Sequence, residues 1–195
     1  MKLLRTDEIK NLNSIFNHKD LCGVAMAIFS GSYIIEDDET LRKELAERGF
    51  GEQQEDYIII SPVEGLYLLE NKRIKVMDIM KKRSIDFKLL LTKLKKLDRD
   101  IDIKYFVYKD LRKKGYIVRT GLKYGSYFRV YEKGIRVGEG HSHWLVQPIK
   151  DISKTSIYDI AKAVRIAHSV RKKMIWAVVD TEGDVTYYKL ERIIP

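Results

Sequence analysis

Cysteine, proline and long apolar runs are scarce in this sequence. Its 195 residues include one cysteine, Cys22, and three prolines. A single cysteine cannot form an internal disulfide or a CxxC metal site, so Cys22 is expected to be a buried structural thiol. No apolar run approaches the roughly 20 residues that a membrane-spanning helix needs, and no membrane partner is expected.

The first residues also lack the marks of a secretory leader. Residues 1–8 contain neither an extended apolar core nor a small-residue cleavage site. We therefore expect a cytoplasmic protein. The composition, with 45% hydrophobic and 33% charged residues, is typical of a globular chain.

Basic residues outnumber acidic ones. The 37 lysines and arginines against 28 aspartates and glutamates give a formal net charge of +9 at pH 7. Such a charge favours association with a polyanion. Many basic proteins never bind nucleic acid, so the charge permits an RNA or DNA partner without identifying one.

Helix and strand signals alternate in the first half. The segment Ser61-Pro62-Val63-Glu64 has an N-cap serine, a proline in the first turn and a glutamate that closes a capping box. Residues 57–60 predict a short buried strand, and residues 24–35 predict a hairpin. A lysine-rich helix with apolar residues at three- and four-residue steps dominates residues 81–97.

The second half predicts a helix, three strands, a helix and two strands. In order, these are residues 104–114, 116–120, 128–131, 144–147, 157–169 capped by Ser156, 174–179 and 185–190. Domains of about 100 to 150 residues are commonest, and the charged segment 98–100 is the best linker candidate. The sequence therefore predicts an α+β (mixed α/β) protein with two small domains, residues 1–98 and 99–195.

The four histidines are the first candidates for chemistry. His141 and His143 flank Ser142, between a glycine-bearing turn and a strand. Alternate strand residues share a face, so the two imidazoles could hold a metal ion. No second cluster completes a binding shell, so we expect no metal and no cofactor. His18 is interpreted as a loop residue, and His168 as a packing or hydrogen-bonding residue on the apolar side of its helix.

Metal-free RNA cleavage by the 2'-hydroxyl needs a base, an acid and a cation. Histidine suits the acid near neutrality, and lysine or arginine suits the cation. Tyr131 and Lys172 lie at turn edges. Judged on the residues alone, Tyr131 is more simply a structural strand tyrosine, and the cations around Lys172 more simply stabilise the end of a helix.

Several segments of the second half form a combination that is highly specific. They are residues 110–125, 128–131, 141–142, 145–146, 164–173 and 178–188. Together they resemble the catalytic domain of the archaeal tRNA-intron endonucleases. Residues 61–70 resemble the helix of that family's N-terminal domain. The resemblance implies a C-terminal nuclease domain with a central mixed sheet flanked by helices.

The resemblance also implies roles for individual residues. Tyr131 matches the family's general base, His141 its general acid and Lys172 its transition-state cation. Arg165 matches an arginine that stacks on a flipped bulge base. Tyr187 stands near the family's second stacking arginine, where a tyrosine can stack without adding charge. Lys173 is expected to add to RNA binding.

The implied substrate is precursor tRNA with a bulge-helix-bulge motif. The implied products carry a 2',3'-cyclic phosphate and a 5'-hydroxyl, and no metal is required. Two alternatives remain open. One is a basic RNA-binding module without catalytic activity, and the other is a structural subunit of the same assembly.

The acidic tip of the last predicted hairpin bears on assembly. From composition alone it is a solvated turn. In the family that this chain resembles, the equivalent loop inserts into a basic cleft of an opposing subunit. The resemblance thus implies a homotetramer, or a heterotetramer with a structural subunit, held by Asp180, Glu182 and Asp184.

Overall fold

The computed structural model describes residues 26–79, 81–135 and 140–193. The predictions for His18 and Cys22, the start of the first hairpin and part of the glycine-bearing turn lie outside these residues. The described chain forms two compact units, 26–46 with 51–99 and 47–50 with 100–193. The predicted α+β class with two domains is confirmed. The boundary between residues 98 and 99 stays a prediction.

The first unit contains one mixed sheet in its described part. Its elements are β1 (Met26–Phe29), β2 (Ile34–Glu36), α1 (Glu39–Glu47), β3 (Glu52–Gln53), β4 (Ile58–Ile60), α2 (Pro62–Glu70), β5 (Lys75–Asp78), β6 (Arg83–Ile85) and α3 (Phe87–Leu97). The strand order is β3-β4-β2-β1-β5-β6, with β1 parallel to β5 and the other neighbours antiparallel.

Helix α2 begins as predicted because Glu64 completes a buried cap. The Glu64 carboxylate accepts hydrogen bonds from the Ser61 N–H (2.9 Å), the Ser61 hydroxyl (2.6 Å) and the Gly51 N–H (3.0 Å). Helix α3 begins later than Lys81, because Arg83–Ile85 pair with β5 as a strand. The α3 cap is Asp86, whose carboxylate accepts from the Leu89 N–H at 2.7 Å.

The described part of the second unit contains a five-stranded sheet and two α-helices. Its elements are α4 (Ile101–Lys113), β7 (Ile117–Thr120), a 3₁₀ turn (Leu122–Tyr124), β8 (Phe128–Tyr131), β9 (Trp144–Lys150), α5 (Ile157–Ser169), β10 (Lys173–Val179) and β11 (Val185–Leu190). The strand order is β11-β10-β9-β8-β7, and α5 crosses between the parallel strands β9 and β10. The other neighbours are antiparallel.

The two helices cover opposite faces of this sheet. On one face, Leu145 and Met174 pack with Ala167 of α5, and Tyr124 packs against them. We call this the α5 face. On the other, Trp144 and its neighbours line a groove with Leu111 of α4, and we call this the α4 face. Because strand residues alternate between faces, the register assigns each strand side chain to one of them.

The described residues cover helix α5 on one side only. Ala167 is buried, whereas Ile157, the first residue of the predicted apolar period, is 81% exposed. His168 is also exposed, and its side chain forms no hydrogen bond with the described residues, so the prediction of a packing or hydrogen-bonding histidine is wrong. Among the described residues, no helix has the length and apolar character needed to cross a bilayer.

Candidate active site

Three strand ends meet at one edge of the five-stranded sheet. Strand β8 ends at Tyr131, while β9 and β10 begin at Trp144 and Lys173. Because β8 runs antiparallel to β9, and β9 parallel to β10, these ends lie together. His141 precedes β9 and Lys172 precedes β10. The fold thus brings the backbone positions of the three predicted catalytic residues to the same edge.

Hydrogen bonds hold the chain before β9 between its two neighbours. The His143 N–H donates to the Val130 carbonyl at 2.9 Å, and the Lys173 N–H donates to the His143 carbonyl at 3.0 Å. The Lys172 ammonium donates to the Ser142 carbonyl at 2.7 Å. The predicted cation is therefore bonded to the residue that follows the predicted acid.

The end of α5 directs Lys172 to this edge. Arg171 adopts a left-handed conformation, with φ of 54°, which is uncommon for a residue other than glycine. The Lys172 N–H then donates to the Ala167 carbonyl at 2.9 Å, which closes the helix end. The ammonium nitrogen of Lys172 lies 5.5 Å from the centroid of the Tyr124 ring.

Arg129 links Tyr124 to Tyr131. Its guanidinium carbon lies 6.0 Å from the Tyr124 ring centroid and 5.9 Å from the Tyr131 ring centroid. Tyr131 itself is only 5% exposed. Sequence reasoning did not single out Tyr124 or Arg129, although both lie in segments that carry the family resemblance. Their contacts depend on packing between distant segments, which spacing along the chain does not reveal.

The two neighbouring histidines have different surroundings. His143 Nδ1 lies 3.2 Å from a Glu132 carboxylate oxygen, and its ring meets the Trp144 ring edge-on at 4.6 Å. The His141 side chain is exposed, and it forms no hydrogen bond or ion pair with the described part of the chain. Of the two histidines, His141 is the one whose side chain has no carboxylate bonded to it within the described residues.

A metal centre would need several ligating side chains close together. Within residues 26–79, 81–135 and 140–193, no three histidine, cysteine, aspartate or glutamate side chains are grouped so as to hold an ion. His141 and His143 thus have no described carboxylate or thiol cluster beside them that would complete a shell.

Tyr187 and Lys173, two of the predicted RNA-binding residues, belong to the α4 face. Lys173 pairs with Trp144, which lines the α4-face groove together with Tyr187. The Tyr187 hydroxyl donates to Asp110 Oδ2 at 2.5 Å, and Lys114 Nζ lies 2.5 Å from the same oxygen. Burial, and then the Asp110 carboxylate, raises the pKa of the Tyr187 hydroxyl. This hydroxyl is a bonded structural group.

Arg165, the third predicted RNA-binding residue, is exposed on α5. Its Nε–H donates to the Ala161 carbonyl at 3.3 Å. Since α5 covers one face of the sheet and Tyr187 projects from the other, Arg165 and Tyr187 lie on opposite faces within one protomer. Their binding roles stay predictions.

The acidic hairpin tip is shaped by one of its own carboxylates. Asp180 Oδ1 accepts hydrogen bonds from the Glu182 and Asp184 N–H groups, both at 2.9 Å. Gly183 has φ of 93°, and a Cβ there would lie 3.2 Å from the Phe106 ring. The tip is therefore an ordered turn packed on α4, with Glu182 and Asp184 exposed.

Comparison with known proteins identifies the family of this chain. The family model of the tRNA intron endonuclease N-terminal domain matches residues 26–91, and that of the catalytic C-terminal domain matches residues 101–187. The tRNA-splicing endonuclease of Pyrococcus furiosus is 48% identical over 144 residues, which cover 74% of this chain and 81% of the relative. The corresponding proteins of Pyrococcus abyssi and Methanococcus maripaludis are 45% and 44% identical over 146 residues, covering 75% of this chain and 82% and 81% of the relatives. The chain belongs to the tRNA intron endonuclease family.

Proposed function

We propose that this chain is the catalytic subunit of a tRNA-splicing endonuclease. It cuts precursor tRNA at bulge-helix-bulge junctions without a metal ion and leaves 2',3'-cyclic phosphate and 5'-hydroxyl ends. One observation carries the proposal. In a member of this family, Tyr131, the His141-Ser142 segment and Lys172 are gathered at one edge of the sheet, with Lys172 bonded to Ser142.

The proposed reaction uses each of the three residues once. In its phenolate form Tyr131 takes the proton of the 2'-hydroxyl and becomes neutral, and the 2'-oxygen forms a bond to the adjacent phosphorus. The bond from phosphorus to the 5'-oxygen breaks, and protonated His141 gives its proton to the departing oxygen. Lys172 stabilises the additional negative charge on the phosphate oxygens in the transition state.

The surroundings of these residues support the roles. An acid must approach the leaving oxygen, and the exposed imidazole of His141 is open to such an approach. A cation that acts on a transition state works best when it is already oriented, and the Ser142 carbonyl orients the Lys172 ammonium. The described residues accept no hydrogen bond from its two remaining N–H groups, which would bind phosphate oxygens.

RNA binding by Arg165, Tyr187 and Lys173 is part of the proposal. Arg165 would stack on an unpaired bulge base, because a planar guanidinium suits an exposed base. Tyr187 and Lys173 project from the other face, so they would contact RNA at a different place from Arg165 of the same protomer.

Assembly is proposed to place two active sites at the spacing of two bulges. The acidic tip would insert into a basic cleft of another subunit and form a homotetramer, or a heterotetramer with a structural subunit. Changing Glu182→Gln and Asp184→Asn while keeping Asp180, which holds the turn, should reduce the mass seen by light scattering to that of a dimer. Changing the exposed pair Glu52 and Glu55 to glutamine removes the same charge and should leave the mass unchanged. An unchanged mass in the tip variant would refute this mode of assembly.

The test of the proposed function is cleavage in excess EDTA, followed by analysis of the RNA ends. We expect cutting at both bulges, with cyclic phosphate and 5'-hydroxyl ends. Activity that is lost in EDTA and restored by one divalent ion, with the RNA still folded, would refute the mechanism. Binding without cutting would support the alternative of an RNA-binding module or a structural subunit.

A further inference from the structure

Two arginines lie side by side on the five-stranded sheet, close to the edge where Tyr131, His141 and Lys172 lie. Arg119 of β7 pairs directly with Arg129 of β8, and Arg129 pairs with Leu145 of β9. Directly paired residues project to the same side of a sheet. Because Leu145 packs against Ala167 of α5, both arginines belong to the α5 face. Tyr131 follows Arg129 by two residues and shares that face.

The Arg129 side chain lacks a hydrogen bond within the described residues. Its Nε is buried and has no hydrogen-bond partner among the described residues. The Tyr124 and Tyr131 rings lie about 6 Å from its guanidinium carbon and attract its charge, but they offer no strong acceptor. A buried donor without an acceptor costs stability, and it calls for an explanation such as an absent ligand.

We infer that Arg129, assisted by Arg119, is a binding site for an RNA phosphate next to the one that is cut. The planar guanidinium presents paired N–H donors that match two phosphate oxygens. Arg129 is two strand residues from Tyr131, a separation of about 7 Å. In this arrangement Lys172 binds the phosphate that is cleaved, and Arg129 binds a neighbouring phosphate. The inference rests on the proposed function, because it takes RNA as the ligand.

The test measures binding apart from cleavage. The probe is a bulge-helix-bulge RNA with 2'-deoxyribose at each cleavage position, which lacks the attacking hydroxyl and stays intact. The variants of the full chain are Arg129→Met, Arg129→Lys and Arg119→Met. Lys113→Met is the matched control, because Lys113 is exposed on α4 and also loses one positive charge. Binding is titrated at several salt concentrations, and the melting temperature of each protein is recorded.

We expect Arg129→Met to bind about tenfold more weakly, with the dependence of log Kd on log salt reduced by about one. Arg129→Lys should recover part of the affinity, because it keeps the charge and loses the paired donors. Arg119→Met should show a smaller loss. The Lys113→Met control should match the wild type. The Tm of Arg129→Met should fall by no more than about 3 °C, because the change removes an unpaired buried donor.

Two results would overturn the inference. One is an Arg129→Met protein with the affinity and salt dependence of the Lys113→Met control. The other is a Tm lowered by more than about 10 °C, which would show that the guanidinium serves packing. Failure of the proposed function would look different. The wild type would then leave the matching RNA with intact 2'-hydroxyls uncut.

Discussion

The two faces of the catalytic sheet use the same residue types in different ways. On the α4 face, Tyr187 and Lys114 both bond to the Asp110 carboxylate. On the α5 face, Lys172 bonds to a neutral carbonyl, and the buried Nε of Arg129 has no hydrogen-bond partner in the part of the chain that the structure describes. Tyrosine beside a cation thus occurs on both faces, and what distinguishes the faces is the carboxylate.

A carboxylate neutralises nearby cations and occupies their donors, which closes a site to phosphate. Within the described residues, no carboxylate bonds to Tyr131, Arg129 or Lys172. Positive charge that is left without a carboxylate produces a field that attracts a polyanion. We propose that the α5 face binds the RNA phosphates around the cleavage position, and that the Asp110 carboxylate on the α4 face ties the Tyr187 hydroxyl of β11 to α4.

The largest effect is expected for His141, at the edge between the two faces. His141→Ala should slow single-turnover cleavage by about 100 to 10,000-fold, the usual range for a lost acid, with RNA affinity little changed. His143→Ala is the control, because His143 already faces Glu132. The assignment is wrong if His143→Ala is the damaging change and His141→Ala is nearly silent.

Substitution of two adjacent lysines allows the two faces to be compared directly. Lys172→Ala should reduce the cleavage rate by about 100 to 1,000-fold, because it removes an oriented cation from the transition state. Lys173 begins β10 on the α4 face, and Lys173→Ala should change the rate only a few-fold. Equal losses in the two variants would show that general positive charge, and not an oriented ammonium, drives the reaction.

Glu36, in the first unit, can be compared with Arg129. Its Oε2 is also buried and has no hydrogen-bond partner within residues 26–79, 81–135 and 140–193. A carboxyl can keep its proton, and burial, assisted by the charges of Asp37 and Asp38, raises the pKa of Glu36 to about 7. A guanidinium cannot lose its charge in this way. Glu36 can therefore become neutral where it is buried, whereas Arg129 cannot.

The raised pKa predicts how stability depends on pH. Between about pH 4.5 and 7 the unfolded chain releases the Glu36 proton before the folded chain does, so stability falls as pH rises and stays lower above pH 7. The loss is about 3 kcal/mol for a shift of this size. Glu36→Gln should remove it, which melting curves at pH 5 and pH 8 can measure against exposed Glu52→Gln as control. An unchanged pH dependence would contradict the assignment.

Local signals predicted most elements of the fold. Helix α5 starts after Ser156 as predicted, because the Ser156 hydroxyl and the Asp159 carboxylate cap it within one turn. The last hairpin was also predicted, with Val179 paired to Val185 around the acidic tip. The predictions failed where packing between distant segments determines the structure, as in the strand at Arg83–Ile85 and on the exposed side of α5.

The residues of the candidate site also divide into those that the sequence predicted and those whose importance depends on packing between distant segments. Tyr131, His141 and Lys172 were predicted because the family resemblance marks them, and the sheet register shows why their backbone positions lie at one edge. Arg129 and Tyr124 could not be singled out, because their significance lies in contacts across the sheet. The Tyr187 hydrogen bond to Asp110 was hidden for the same reason.

The most direct test of the account compares Tyr131→Phe with Tyr187→Phe, since each change removes one hydroxyl from one face. In single-turnover cleavage with melting curves in parallel, Tyr131→Phe should lower the rate by about 100 to 10,000-fold with little change in Tm. Tyr187→Phe should cut within a few-fold of the wild type and lose about 1 to 2 kcal/mol of stability, because the bond to Asp110 is gone. A Tyr131→Phe protein that cuts normally, beside a Tyr187→Phe protein that is stable and inactive, would contradict the assignment of chemistry to the α5 face.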